Sequence, residues 1–215
     1  MPGLRLPPRR LVSKPDPDDP IDYYYRPLTA PLYRARLRDA LALLGPGPFD
    51  ALLDVGYGSG VFLPELVQRT RRLVGVDVHG GRTGVESMAR AMGINVELWS
   101  ASLFELPFAD GEFSALVCIS VLEHLQELDA ALDELTRVVA PGGRLVLGVP
   151  VRNAATSFFF RLVGYDPLEI HPSSHRDVAA ALARQPRLAV ARRRVFPRVL
   201  PLDFAAYVTF AGERR

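Results

Sequence analysis

Asp54, Gly56, Gly58 and Gly60 stand in the stretch LLDVGYGSG, with apolar residues before it and helically spaced ones after it. Glycines at such a strand-to-helix turn let the backbone bend sharply and admit a ligand at close range, because no Cβ intervenes. Asp77 ends the next apolar run, about 20 residues on, where a carboxylate accepts two hydrogen bonds from a ribose diol. The pair describes a site for an adenosine-bearing ligand. A dinucleotide site would space its glycines G-x-G-x-x-G around a pyrophosphate. Here the spacing is G-x-G-x-G, with an acid two residues before the first glycine. Asp54 would repel a pyrophosphate and suits an amino-acid tail carrying an ammonium group.

The elements that position these residues follow from the hydrophobic pattern. Residues 51–56, 72–78, 94–100, 113–120 and 144–150 are apolar runs that read as strands. Residues 61–69, 82–93 and 128–140 between them have helical spacing, and the PGG at 141–143 reads as a turn. Strands alternating with helices imply right-handed crossovers and a parallel sheet, and continuous apolar strands imply burial on both faces. A further helix is expected at 176–185, and two alternating segments, 187–196 and 203–212, read as a C-terminal hairpin. Towards the other end, residues 1–20 are rich in proline and charge and read as a flexible arm. Leu32, Leu37, Leu41 and Leu44 then give a helix that stops at Gly45. The expected architecture is an α/β, Rossmann-like, doubly wound sheet of seven strands, with strands six and seven as the hairpin. Residues 21–215 form its single domain, capped by a helical lid over about 21–45.

Composition narrows the setting. With 48% hydrophobic and 23% charged residues, the chain has the balance of a globular protein rather than a disordered one. Cys118 is the only cysteine and lies in an apolar run, which excludes a disulfide framework and fits a small buried hydrophobe. The first residues lack the apolar core of a secretory leader, and no run reaches the ~20 apolar residues of a membrane span. A cytoplasmic protein without membrane insertion is expected. Lys14 is the only lysine, so the net charge of +2 is carried by arginine. Arg192, Arg193 and Arg194 fall on an expected strand, where at most two share a face, and read as a charged edge that resists aggregation. Nucleic-acid binding is not expected, since neither a broad basic stripe nor an RNA module is evident.

The motifs, taken in order, resemble the type 11 group of class I S-adenosylmethionine-dependent methyltransferases. LLDVGYGSG is similar to that group's first motif and VGVDV to its second. LFELPFADGEFSALVCISVLEHL and LDELTRVVAPGGRLVLGVP resemble its later ones. The resemblance covers roughly residues 50–150 and implies S-adenosylmethionine as cofactor. It places Gly56, Tyr57, Gly58 and Gly60 along the methionine moiety, with Asp54 near its ammonium. Asp77 and Val78 fall at the ribose, Ser102 and Leu103 at the adenine, and Ile119 and Ser120 close the site. Two positions depart from the group. Ser102 stands where an aspartate usually meets the adenine amino group, and His79-Gly80-Gly81 replaces the usual helix opener after Asp77.

Methyl transfer from a sulfonium is an in-line displacement, so alignment supplies most of the catalysis. A base is needed only for an acceptor that must lose a proton. The candidates are His124, His171 and His175. His124 stands where the quinone O-methyltransferases carry a Glu-His metal pair, matched here by Glu123-His124. Ser120 replaces that site's third carboxylate, so no metal is expected. Ser173 or Ser174 is set to cap the helix that follows. Tyr23, Tyr24, Tyr25 and Phe158, Phe159, Phe160 suit either plain core or a pocket for a flat, apolar acceptor, with Arg26 and Arg161 available to an acceptor carboxylate. The expected function is methyl transfer to a small aromatic or apolar molecule. The alternatives are an RNA or protein methyltransferase, or a cofactor-binding regulatory module without catalysis.

Overall fold

The computed structural model describes residues 4–15, 19–154, 156 and 172–215. Seven strands form one sheet: β1 (Phe49–Val55), β2 (Thr70–Asp77), β3 (Glu97–Ser100), β4 (Phe113–Ile119), β5 (Val139–Pro150), β6 (Leu188–Phe196) and β7 (Tyr207–Arg214). Their order is β3-β2-β1-β4-β5-β7-β6. The first five run parallel, and β7 is antiparallel to both β5 and β6. This is the expected seven-stranded class I architecture with a C-terminal hairpin.

Both faces of the sheet are covered, which accounts for the continuous apolar runs. Leu52, Ala115 and Val117 point to one face, where they join Leu37, Leu43 and Leu44 of helix α1 (Ala30–Leu44) and Val85 and Met88 of α3 (Arg82–Met92). Leu53, Leu116 and Cys118 point to the other, against α4 (Leu128–Val138) and α5 (His175–Arg184). The α4 stripe Leu128, Ala131, Leu132 and Leu135 is buried at helical spacing, and each buried leucine contributes roughly 1.5–3 kcal/mol relative to exposure. Gly45 ends α1 at φ 91°, as its position after the last leucine anticipated.

Several boundaries move, each for a local reason. The helix after the glycine turn is short: α2 covers Leu63–Leu66 and tightens into a 3-10 turn, Val67–Arg69. The strand expected from residue 94 starts at Glu97, because Gly93 adopts φ 66° and Ile94 N–H closes α3 onto the Ala89 carbonyl. The PGG turn is a bulge inside β5, between the pairs Phe113–Val139 and Ala115–Arg144. Gly143 is required there, since a Cβ would lie 2.6 Å from Val139 Cγ1 and 2.8 Å from the Ala140 carbonyl oxygen. Ser174 caps α5 in a reciprocal pair with Asp177.

Within the proline-rich segment before α1, residues 4–15 are laid along the domain. Val12 is buried, Arg5 N–H donates to Glu65 Oε1, and Tyr25 Oη–H donates to the Pro7 carbonyl. On β6, the edge strand, Arg192 donates to the Leu43 carbonyl and Arg194 reaches Asp39, so two of the three arginines turn back onto α1. Among the described residues no helix is long and apolar enough to cross a membrane.

Candidate functional site

The carboxyl ends of β1, β2 and β4 open into a cavity of about 410 Å³, where the strand order reverses between β1 and β4. Loops diverge to opposite faces at such a switch point and leave a crevice for a ligand. The Pro20–Tyr24 turn and α1 form its roof through Tyr24, Arg36 and Leu37.

The glycine turn forms one wall. Gly56, Gly58 and Gly60 have φ of 77°, 51° and 72°, a region that side chains with a Cβ rarely adopt. A Cβ on Gly56 would fall 2.2 Å from Val121 Cγ2, so this glycine lets the turn approach the loop after β4. Gly58 N–H donates to Asp77 Oδ2 at 2.8 Å, tying the turn to the end of β2. Gly60, expected along the methionine moiety, is not among the residues that line the cavity. Its missing Cβ makes room for Val85 and Met88, at 2.7 and 2.8 Å, and so lets α3 seat against the turn.

Three carboxylates face this space. Asp54 is 3% exposed and its Oδ2 has no hydrogen-bond partner. Burial, with Asp77 nearby, pushes its carboxyl up to about 7. Asp77 accepts from Gly58 N–H and from Val78 N–H, and His79 Nε2 lies 3.2 Å from its Oδ2. His79, at the departure from the family pattern, also contacts the Gly58 carbonyl at 3.0 Å and meets the Tyr57 ring edge-on. The third is Asp19, from the segment before α1, whose carboxyl is raised by burial.

Arg36 faces them from the roof. It donates to Tyr24 Oη at 2.9 Å and to Ser120 Oγ at 3.0 Å, and its guanidinium lies over the Tyr33 ring at 4.6 Å. Ser120 ends β4 at φ 61°, a strained conformation for a residue with a Cβ. That turn aims its hydroxyl at both Arg36 and Tyr207 Oη, the latter at 2.8 Å. Behind them Glu123 is 2% exposed, with Oε2 unpartnered. Burial pushes its carboxyl up to about 8 against the pull of Arg36 and Ser120.

Of the residues singled out in the sequence, Asp54, Gly56, Tyr57, Gly58, Asp77, Val78, Ser102, Leu103, Ile119, Ser120 and His124 meet around this one cavity. His124 ends a 3-10 turn, Leu122–His124, at its rim. His175, the other described histidine among the catalytic candidates, is 2% exposed and lies outside the cavity wall. Its Nδ1 accepts from Arg152 N–H and its Nε2 approaches Asp203 at 3.4 Å, so it braces the start of α5. His171, Phe158, Phe159, Phe160 and Arg161 lie outside the described residues. Of the tyrosines, Tyr24 lines the cavity, while Tyr23 takes Arg26 over its ring. Asp19, Arg36 and Ser59 were not legible beforehand. Arg36 is one arginine among many, and nothing in its neighbours marks it. Among the described residues no cluster of three His, Cys, Asp or Glu side chains is placed to hold a metal ion.

Known proteins resemble this arrangement. The model of a family described as "Methyltransferase domain", the type 11 group, matches residues 53–147. The chain is 30% identical over 146 residues to a ubiquinone biosynthesis O-methyltransferase of Dechloromonas aromatica, covering 64% of this chain and 62% of that protein. It is 29% identical over 208 residues to an uncharacterized 37.1 kDa protein in transposon TN4556 of Streptomyces fradiae, covering 90% of this chain and 57% of that one. The chain thus spans about three-fifths of the length of these curated relatives. In fold it is similar to geranyl diphosphate C-methyltransferase from Streptomyces coelicolor A3(2), with a TM-score of 0.71 at 20% identity over 99% of this chain and 90% of that one. Through residues 53–147, a little under half of its length, the chain is similar to the type 11 methyltransferase-domain family.

Proposed function

We propose that this protein binds S-adenosylmethionine in the cavity at the carboxyl ends of β1, β2 and β4 and transfers its methyl group to a small, apolar acceptor. One observation carries the reading. An unpartnered buried carboxylate, Asp54, and a cation held by neutral hydroxyls, Arg36, line the same cavity. Burying a charge without a close partner is costly; Asp54 Oδ2 has none, and Arg36 meets Asp19 and Glu123 only through longer-range attraction. A zwitterionic amino-acid end offsets both costs, with its ammonium at Asp54 and its carboxylate at Arg36. Asp77, at the end of β2, is set for ribose hydroxyls. Ser102 keeps one hydroxyl for the adenine edge, although Phe104 N–H already donates to it at 3.2 Å.

When bound, the cofactor supplies an electrophilic methyl group on a positively charged sulfur. The protein's part is alignment and exclusion of water. The Tyr24 and Leu37 roof covers the cavity, and Phe104, Val121 and Leu125 give the remaining wall an apolar character. That lining supports a flat or lipid-like acceptor over a phosphate-rich one. The pairing of Arg194 with Asp39 offsets part of the basic charge on this edge that an RNA would meet. His124 at the rim would accept the proton of a hydroxyl acceptor. The lid over 21–45, the single domain and the cytoplasmic setting belong to the same proposal.

Calorimetry tests the binding and turnover tests the chemistry. S-adenosylhomocysteine should bind and NAD should not. Labelled methyl groups should appear on phenolic, quinone-like or prenyl acceptors rather than on transfer RNA or peptides. Tight NAD binding without S-adenosylhomocysteine binding overturns the cofactor, and methylation confined to RNA or peptides overturns the acceptor class.

A further inference from the structure

The segment before α1 does more than cover the domain, because it delivers a charge to the cavity. Two glycines act as its seats. A Cβ on Gly81 would lie 2.2 Å from Pro15 Cβ, and one on Gly84 would lie 2.1 Å from Ser13 Oγ. Val12 is buried beside them, and Arg9 pairs with Asp22 at 2.8 Å. With the strap so placed, Asp19 Oδ1 caps the Pro20–Tyr24 turn by accepting from Ile21 N–H at 2.8 Å. Its other oxygen, Oδ2, faces the glycine turn, 3.4 Å from where a Gly58 Cβ would stand.

Capping uses one carboxylate oxygen, and Ser59 hydrogen-bonds the side chain while Arg36 attracts its charge, so the ionised form is held at the cavity. Asp19 and the unpartnered Asp54 Oδ2 line one cavity with Asp77. Asp54 and Asp77 repel one another until a cation separates them, and Asp19 brings a further carboxylate to the same cavity. An ammonium has three N–H donors and can serve more than one carboxylate. We propose that Asp19 is a second carboxylate for the ammonium of the cofactor's amino-acid end, delivered by the strap. Docking of residues 4–15 on α3 and retention of the cofactor are then one coupled event. This rests on the cofactor reading above and adds to it a residue from outside the motifs at 50–150.

The test uses the full chain and two ligands, S-adenosylhomocysteine and the same molecule lacking its α-amino group. Asp19→Asn keeps the oxygen that caps the turn and removes the charge. It should weaken S-adenosylhomocysteine by about tenfold, the loss of one charge-assisted hydrogen bond, and leave the deaminated analogue within about twofold. Gly84→Val, which drives Ser13 off α3, should weaken S-adenosylhomocysteine similarly and add little to Asp19→Asn in the double variant. Equal losses for both ligands, no loss for either, or fully multiplicative effects of the two substitutions would overturn the inference. A wild-type protein that binds neither ligand overturns the cofactor reading with it. Wild-type binding that Asp19→Asn leaves unchanged overturns the role of Asp19 alone.

Discussion

Asp54→Asn should make the ligand-free protein more stable and the cofactor weaker, and the size of each effect should depend on pH. The Asp54 carboxyl is raised from 3.8 to about 7 by burial and by Asp77. An acid whose folded pKa lies above its unfolded value binds more protons when folded, so its contribution to stability falls as pH rises between the two values. Taking those two pKa values, ionised Asp54 costs the fold about 2 kcal/mol more at pH 8 than at pH 5.5. Asparagine carries no such charge. Its amide adds a pH-independent offset, which cancels when the wild-type-to-variant difference is compared across pH. Chemical denaturation without ligand at both pH values measures that comparison, and the gap should widen by about 2 kcal/mol towards pH 8. Binding runs the other way. An ammonium group needs the ionised carboxylate, so wild-type affinity for S-adenosylhomocysteine should fall about tenfold from pH 8 to pH 6. Asp54→Asn should bind weakly at both. A stability gap that does not change with pH would show that Asp54 is not a buried, uncompensated acid, and would refute the electrostatic basis of the site.

Three further substitutions separate roles that the sequence left together. Gly60→Val should lower stability by at least 2 kcal/mol in thermal unfolding, through a clash with Val85 and Met88 at positive φ; an undiminished melting temperature would place this glycine elsewhere. His175→Ala should lower the melting temperature by several degrees while leaving kcat and KM unchanged, since it removes an acceptor for Arg152 N–H and a partner for Asp203; a selective loss of kcat would return His175 to catalysis. Ser102→Asp should strengthen S-adenosylhomocysteine binding several-fold by offering the adenine amino group a charged acceptor. If affinity stays flat in calorimetry, the adenine edge does not face residue 102.

The architecture and half of the site were legible in the sequence because they depend on local rules. Apolar runs that alternate with helical spacing leave few topologies besides a doubly wound sheet. Asp54, the glycine turn and Asp77 sit within about 20 residues of one another at strand ends, where chain direction alone brings them together. The cap was narrowed to Ser173 or Ser174 by the helix behind them, and Ser174 is the one that serves. Strand ends were less legible. Residues 141–143 form a bulge because β5 continues pairing with β4 beyond them, and sequence spacing does not encode that partner.

The other half of the site is a product of tertiary structure. Arg36 lies 84 positions from Ser120, and Ser120 lies 87 from Tyr207, yet the three share hydrogen bonds. Asp19 meets the glycine turn across a gap in sequence that no local rule bridges, as do Pro15 at Gly81 and Ser13 at Gly84. His124 and His175 look equally reactive as letters, and packing alone separates them: the rim of the cavity for one, the buried start of α5 for the other. Backbone chemistry is short-ranged, so the sequence by itself determined the turn and its acids. Charge pairing and burial act across space, so only the folded sheet decided which arginine, which histidine and which remote aspartate belong to the site.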